Sequence, residues 1–468
     1  MENNKLSSLL KEDKADFASW VAFITEVEET SYDAIEMLSS VYEAFLSKFP
    51  LCHIYWIMYA YHKARLCAID DALEVYEQAV NMVAYSVDLW ANYCSFSIQC
   101  YEDPEDVRRL FERGLSFVGK DYSCHILWDL YIEFEYSIKH WGNLAHIYIK
   151  ALRFPSKKLH CYYKHLKKLI AIWEEEMGLH DNDMLPSEAR LECEGVGSKV
   201  YRNSEISEII SKLLVESSDK LKPYMLKKYI ALGEDLYSKS SQLHNSIVCF
   251  ENDIHRPNFH AKPLDDNEIE NWHHYLDFVE IQGDFDWIVK LYERCLIPCA
   301  NYQEFWIRYA EHMKANGGQE IAWMSLQRAS KYFLKGNASF NLYNARFNER
   351  MTAMTNDFGA NSSFFLCQSD SSQILIEDVT RKANMEKRLG NVEEASSIYE
   401  KAIIMAEEKH DLQLISNLYI HFARFTFVIT GSINSAKDIF AKAILKYPSS
   451  KSLLEVVFFS NFYISTFI

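Results

Sequence analysis

The chain has 468 residues, a formal net charge of −17 and 49% hydrophobic residues, enough for two or three ordinary domains or one extended array. Gly (14) and Pro (9) are scarce, which disfavours a turn-rich all-β protein. The acidic balance excludes a polyanion binder that uses its whole surface, since that needs clustered Lys and Arg. It leaves room for a local basic patch.

The first turn-poor stretch, residues 1–16, is polar and expected to be disordered, and MENNKLSSLLKEDKADF lacks the apolar run of a signal peptide. A repeat begins at Trp20. Trp20, Trp56, Trp90 and Trp128 recur at near-equal intervals along the chain, and the step from Trp272 to Trp306 matches that from Trp56 to Trp90. Each after the first is followed at i+3 by a Tyr: Tyr59, Tyr93, Tyr131, Tyr275 and Tyr309. Phe96, Phe134 and Phe278 extend the pattern to i+6, so these residues share one side of a helix.

A second element follows each Trp. It reads VYEAFL, VYEQAV, LFERGL, IYIKAL and LYERCL, and continues as IYEKAI and IFAKAI. Its aromatics are Tyr42, Tyr76, Phe111, Tyr148, Tyr292, Tyr399 and Phe440. A small residue sits three positions later in all but the first copy, which has Phe45. A small side chain lets a neighbouring helix approach while the aromatic fills the adjacent groove. The unit is a helical hairpin that must stack on its neighbours to bury both faces. This predicts an all-α superhelical solenoid in two arcs, with a break between about 178 and 270.

The expected organisation is a disordered N-terminus (1–16), an N-terminal repeat domain (17–178) and a polar loop (179–200). Connecting helices (201–254) follow, then a Pro-containing connector (255–271) and an incomplete C-terminal repeat domain (272–468). The most apolar stretch, 453–468, contains Glu455 and Asn461 and is too short to span a bilayer, so no membrane association is expected. Its residues Leu453, Leu454, Val456, Val457 and Phe458 are expected to form an exposed apolar face.

No phosphate loop, H-E-x-x-H, G-x-S-x-G or metal-ligand signature occurs. Eleven Cys are scattered without a CxxC pair, as expected of reduced thiols. No catalytic, cofactor or metal site is therefore expected. Glu77, Glu112, Glu133, Glu135, Glu280 and Glu293 flank the aromatics with the period of the repeat, which suits solvation or pairing with Arg113 and Arg294 rather than acid/base chemistry. PSKKLHCYYKHLKKL places Lys157, Lys158, Lys164, Lys167 and Lys168 together without an acid and interleaves Tyr162 and Tyr163. That face reads either as a solvated helix surface or as a contact for RNA or an acidic partner.

The alternation of W-x-x-Y with aromatic-Glu-x-small resembles the half-a-TPR (HAT) repeat. FPLCHIYWIMYAYHK, YEDPEDVRRLFERGLSFVGKDYSCHILWDLYIEFE, RPNFHAKPLDDNEIENWHHYLDF and LYERCLIPCANYQEFWIRYAEHM resemble, more narrowly, the pre-mRNA-processing factor 39 family. The resemblance covers about residues 17–455. It implies a nuclear, non-catalytic scaffold of splicing, associated with proteins of the U1 small nuclear ribonucleoprotein in 5′ splice-site recognition. It also implies two HAT domains and a homodimer formed by the C-terminal one. The ragged C-terminus of this chain leads us to expect that dimer to be weak or absent. The competing readings are a HAT scaffold of 3′-end cleavage and a tetratricopeptide-type co-chaperone.

Overall fold

The computed structural model describes residues 17–30, 33–176, 203–214, 222–355, 372–408, 411–430, 432–448, 450 and 453. Among the described residues every regular element is a helix. The polar N-terminus and the 179–200 loop lie outside them. The contacts gather the chain into two compact units, Met1–Ala300 and Asn301–Ile468.

In the first unit, helices alternate along the chain as hairpins. These are α1 (Phe17–Thr30) with α2 (Ile35–Lys48), α3 (His53–Leu66) with α4 (Ile69–Met82), α5 (Val87–Cys100) with α6 (Pro104–Val118), and α7 (His125–Ser137) with α8 (Trp141–Ala151). Local chemistry sets their ends. The Ser86 and Asp103 side chains accept the backbone N–H groups of Leu89 and Glu105 at 3.4 and 2.9 Å, and Pro104 occupies a first-turn position where no N–H is needed. Trp56 and Trp90 donate their indole N–H to the carbonyls of Pro50 and Ala84, at 2.9 and 2.7 Å. Each thereby ties its helix to the turn that precedes it.

The small position also has a physical cause. A Cβ on Gly114 would meet the Trp90 ring at 3.1 Å, so the second helix of this hairpin lies directly on the Trp of the first. Ala79, Ala151 and Cys295 are buried at the equivalent place.

The expected break between 178 and 270 is partly filled. Helices α9 (Leu159–Glu176), α10 (Asn203–Leu214) and α11 (Lys222–Asn252) continue the packing. α11, 31 residues long, lies across the hairpins: Tyr229 donates to the Ala145 carbonyl at 2.9 Å and Ser240 to that of Leu152 at 2.6 Å. A Cβ on Gly233 would come within 2.5 Å of Leu166, so glycine permits α11 to approach α9.

The connector after α11 is seated rather than free. Phe259 and Leu264 are buried. Phe259 lies 6.3 Å from Phe49 and His260 lies 4.9 Å from Phe17, ring to ring. Arg256 donates to the Pro263 and Lys262 carbonyls at 3.2 and 2.9 Å, which folds the segment into a compact bend. It leads to α12 (Asp266–Gln282) and α13 (Phe285–Cys295). Phe154 packs edge-on against Trp287 at 5.2 Å, and Lys120 pairs with Asp284 at 2.6 Å and with Asp286 at 3.0 Å. The Trp272 hairpin therefore belongs with the first unit, whereas composition alone put the boundary at 255–271.

The second unit contains α14 (Gln303–Ala315), α15 (Gln319–Arg328) with a π turn at Ala329–Phe333, α16 (Ala338–Thr355) and α17 (Ser372–Leu389). It continues with α18 (Val392–Glu408), α19 (Leu412–Thr430) and α20 (Ile433–Lys446). Val379, Tyr399, Leu418 and Phe422 form its core. By length and composition α19 is apolar enough to cross a membrane, a feature absent from the sequence expectation. Its buried face packs on α18, with Tyr399 stacked 5.3 Å from Phe422, so it serves here as a core helix. Leu453 corrects another expectation: it is fully buried against Ile420 and Ala443, because the α19–α20 hairpin provides an apolar seat. Leu454, Val456, Val457 and Phe458 lie outside the described residues.

Candidate functional site

The aromatics of the repeat signature are core. Trp56, Trp90, Trp128, Trp272 and Trp306 are buried, as are Tyr59, Tyr93, Tyr131, Tyr275 and Tyr309. Tyr76, Phe111, Tyr148, Tyr292 and Tyr399, from the second helices, are buried with them. Across successive hairpins the rings lie nearly parallel. Tyr42 stacks on Tyr59 at 5.4 Å, Tyr76 on Tyr93 at 4.8 Å, and Phe111 on Tyr131 at 4.4 Å.

The glutamate after each of these aromatics accepts the hydroxyl of the Tyr stacked on it. Tyr59 donates to Glu43 at 2.7 Å, Tyr93 to Glu77 at 2.7 Å, and Tyr131 to Glu112 at 3.3 Å. In two copies the same carboxylate then receives a cation from the following hairpin's second helix. Arg113 reaches Glu77 through two bonds of 2.7 and 2.9 Å, and Lys150 reaches Glu112 at 2.6 Å. Arg113 also lies over the Trp90 ring at 5.5 Å. Glu77 and Glu112 thus each couple one hairpin to both helices of the next. Gln78 occupies the cation position opposite Glu43 and bonds Glu74 instead.

One copy of this pattern was not legible as a repeat. Phe250 and Glu251 close α11, and Phe250 stacks on Tyr275 at 5.1 Å. Glu251 accepts from Tyr275 at 2.8 Å and from Arg294 through two bonds of 2.7 Å. The signal was present as Cys249-Phe250-Glu251, but the inserted connector lengthens its distance to Trp272. Arg294 also meets Asp121 at 3.1 Å. Side-chain exposure in this triad is 2% for Glu251, 11% for Arg294 and 9% for Asp121. Burial pushes the Asp121 carboxyl above its ordinary range, against the pull of Arg294. The spacing gave no sign of Asp121, which comes from a turn far away in the chain. Another copy, Leu326-Gln327-Arg328-Ala329, lacks the aromatic and the Glu but keeps Arg328 over Trp306 at 5.2 Å.

The five lysines of the basic segment are all exposed. Lys164, Lys167 and Lys168 share one side of α9, while Leu166, Leu169, Ile170 and Trp173 are buried on the other. Lys158 is paired with Asp129 at 2.7 Å. The interleaved tyrosines separate. Tyr162 is buried and donates to Asp129 at 2.9 Å, so it offers no surface. Tyr163 stacks on Tyr237 at 4.0 Å, with Lys167 over its ring at 4.6 Å. Among the described residues no cluster of His, Cys, Asp and Glu has the arrangement of a metal site.

Two family models match the chain: PRP39 N-terminal HAT repeat over residues 4–168 and PRP39 C-terminal HAT repeat over 245–388. Together they cover more than half of it. The chain belongs to the PRP39 family of HAT-repeat proteins. It is 44% identical to Pre-mRNA-processing factor 39-2 of Arabidopsis thaliana over 97% of its own length and 44% of the relative's. It is 31% identical to Pre-mRNA-processing factor 39 of Schizosaccharomyces pombe over 67% of its length and 52% of the relative's. A more distant likeness, 23% over 61% of the chain and 50% of the relative, is to the U1 small nuclear ribonucleoprotein component PRP42 of Saccharomyces cerevisiae. The chain spans about half the length of these relatives. The second PRP39 match begins within α11 and takes in Glu251, the connector and the Trp272 hairpin.

Proposed function

We propose that the chain is a non-catalytic scaffold of pre-mRNA splicing that works in the nucleus in association with the U1 small nuclear ribonucleoprotein. The observation that carries this reading is membership of the PRP39 family through both of its HAT models, joined to similarity to a protein named as a U1 component. The chemistry agrees. Glu77 and Glu112, periodic carboxylates of the kind that could serve acid/base work, are committed to Tyr, Arg and Lys partners that hold the repeats together. On this reading the scaffold engages mainly particle proteins. The exposed side of α9, through Lys164, Lys167 and Lys168, with Lys157 just before it, adds a weak contact to RNA phosphates, which such lysines neutralise without reading sequence.

Recovery of the tagged chain from nuclear extract, followed by sequencing of bound RNA, tests the reading. U1 RNA should be the enriched small nuclear RNA. Recovery of the 3′-end cleavage machinery in its place would overturn the proposal in favour of the competing HAT scaffold.

A further inference from the structure

In the first helix of each hairpin, the residues two before, two after and five after the Trp share one side, away from the buried stripe. In α5 these are Asp88, Asn92 and Ser95, and in α14 Glu304, Arg308 and Glu311. α7 mixes Ile126 with Glu133 at the outer two positions. α3 departs from all of them. Its three positions hold Ile54, Met58 and Tyr61, of which Ile54 is 51% exposed and Tyr61 58%. Met58 and the adjoining Ile57 are half-buried. α3 is therefore apolar on its outer side as well as its core side, although that outer side faces solvent.

The neighbouring helices shape this stripe. α1 runs beside α3, with Glu28 meeting His62 at 3.0 Å, and carries Ala18, Ala22 and Thr25 at the equivalent positions, all exposed. Such short side chains leave room for a further helix to lie against α3. Carboxylates edge the stripe at both ends. Exposed Asp88, on α5, reaches the start of α3 and meets His53 at 3.7 Å. Burial lowers the pKa of His53, so its neutral ring does not cancel the Asp88 charge at neutral pH. Exposed Glu29 lies one turn beyond Thr25 on α1. Arg65, one turn beyond Tyr61, is taken by Asp33 at 2.9 Å.

We propose that the Ile54–Met58–Tyr61 stripe of α3 docks an amphipathic helix of a partner protein, one whose apolar face is edged by Lys or Arg. The stripe spans two helical turns, about 10 Å, with the i, i+4, i+7 spacing at which an amphipathic helix sets its own anchors. Strand addition has no place here, because the backbones of α1, α3 and α5 are paired within their helices. One tyrosine is too little for the aromatic-lined groove that holds a proline-rich segment. The carboxylate edges select basic flanks and repel RNA phosphates. The inference deepens the scaffold reading and rests on it, by naming how one partner chain would be held.

Fluorescence anisotropy on the full chain tests it with two labelled peptides of equal Leu and Lys content. One places its Leu in helical period and the other alternates Leu with Lys. The helical-period peptide should bind saturably and the alternating one far more weakly. Ile54→Gln with Tyr61→Gln should weaken binding about tenfold or more, and each single change should produce part of that loss. Ile281→Gln, at a solvent-facing site on α12, should leave binding unchanged. Asp88→Asn should flatten its salt dependence. The proposal is overturned if the helical-period peptide does not bind, if the alternating isomer binds as well, or if the double variant melts and binds as the parent does. It is also overturned if the double change converts a parent dimer to monomer in sedimentation, since a second copy would then be the occupant. Recovery of U1 RNA from extract is a separate readout, so failure of the stripe and failure of the scaffold reading are told apart.

Discussion

At the scale of single residues, the chain uses its aromatics for packing and its repeat-phased charges for coupling. Trp128 is 5% exposed beside buried Tyr131 and Phe134, so Trp128→Ala should cost about 3–5 kcal/mol in chemical denaturation. Arg294→Met leaves Glu251 and Asp121 buried without their cation. It should cost a similar amount, about 3–5 kcal/mol, and a variant that melts like the parent would show that water reaches the triad. For Glu77, burial acts to raise the pKa, but hydrogen bonds from Arg113 and Tyr93 outweigh it and hold the carboxyl below its ordinary 4.5. Its folded pKa lies below its unfolded one, so its stabilisation is present at neutral pH and lost as pH falls through the folded value. The stability gap between the parent and Arg113→Met should therefore be widest near neutrality and narrow as pH falls below 4.5. The Trp, Tyr and aromatic-Glu positions were legible because their period survives in the chain. Asp121 was not, since a charge acquires its role only from what the fold brings beside it.

At the scale of elements, hairpin packing followed from periodicity, but the irregular segments did not. The RPNFHAKPLD run reads as a linker because of its two prolines. It is in fact a strap, with Phe259 near Phe49 and His260 near Phe17. Phe259→Ala should loosen it, and thermolysin should then cut within residues 255–265 sooner than in the parent, before general unfolding. α19 shows the limit of hydropathy in the other direction. Its apolar length suits a bilayer, yet part of its surface is already claimed by α18 and α20, a fact that hydropathy along one segment does not contain. The 201–254 region was read as helical but not as a repeat, since α11 carries the aromatic-Glu signature only at its last turn.

For the whole molecule, the unit Met1–Ala300 should behave as one cooperative body rather than as independently folding stretches. In a simple stacked array each hairpin touches only its neighbours. Here the α12–α13 hairpin also meets turns laid down far earlier, through Asp121–Arg294, Lys120–Asp284 and Phe154–Trp287. The PRP39-family models end at 168 and begin again at 245, so the body cuts across them. A scaffold closed in this way would present its partners with a fixed spacing of surfaces.

Native-state hydrogen exchange on the full chain, followed segment by segment in increasing denaturant, tests this claim most directly. The amides of α3–α8 and those of α12–α13 should converge on one opening free energy, and Arg294→Met should lower both together. If α12–α13 open at low denaturant while α3–α8 keep their full protection, Met1–Ala300 is not a single closed unit.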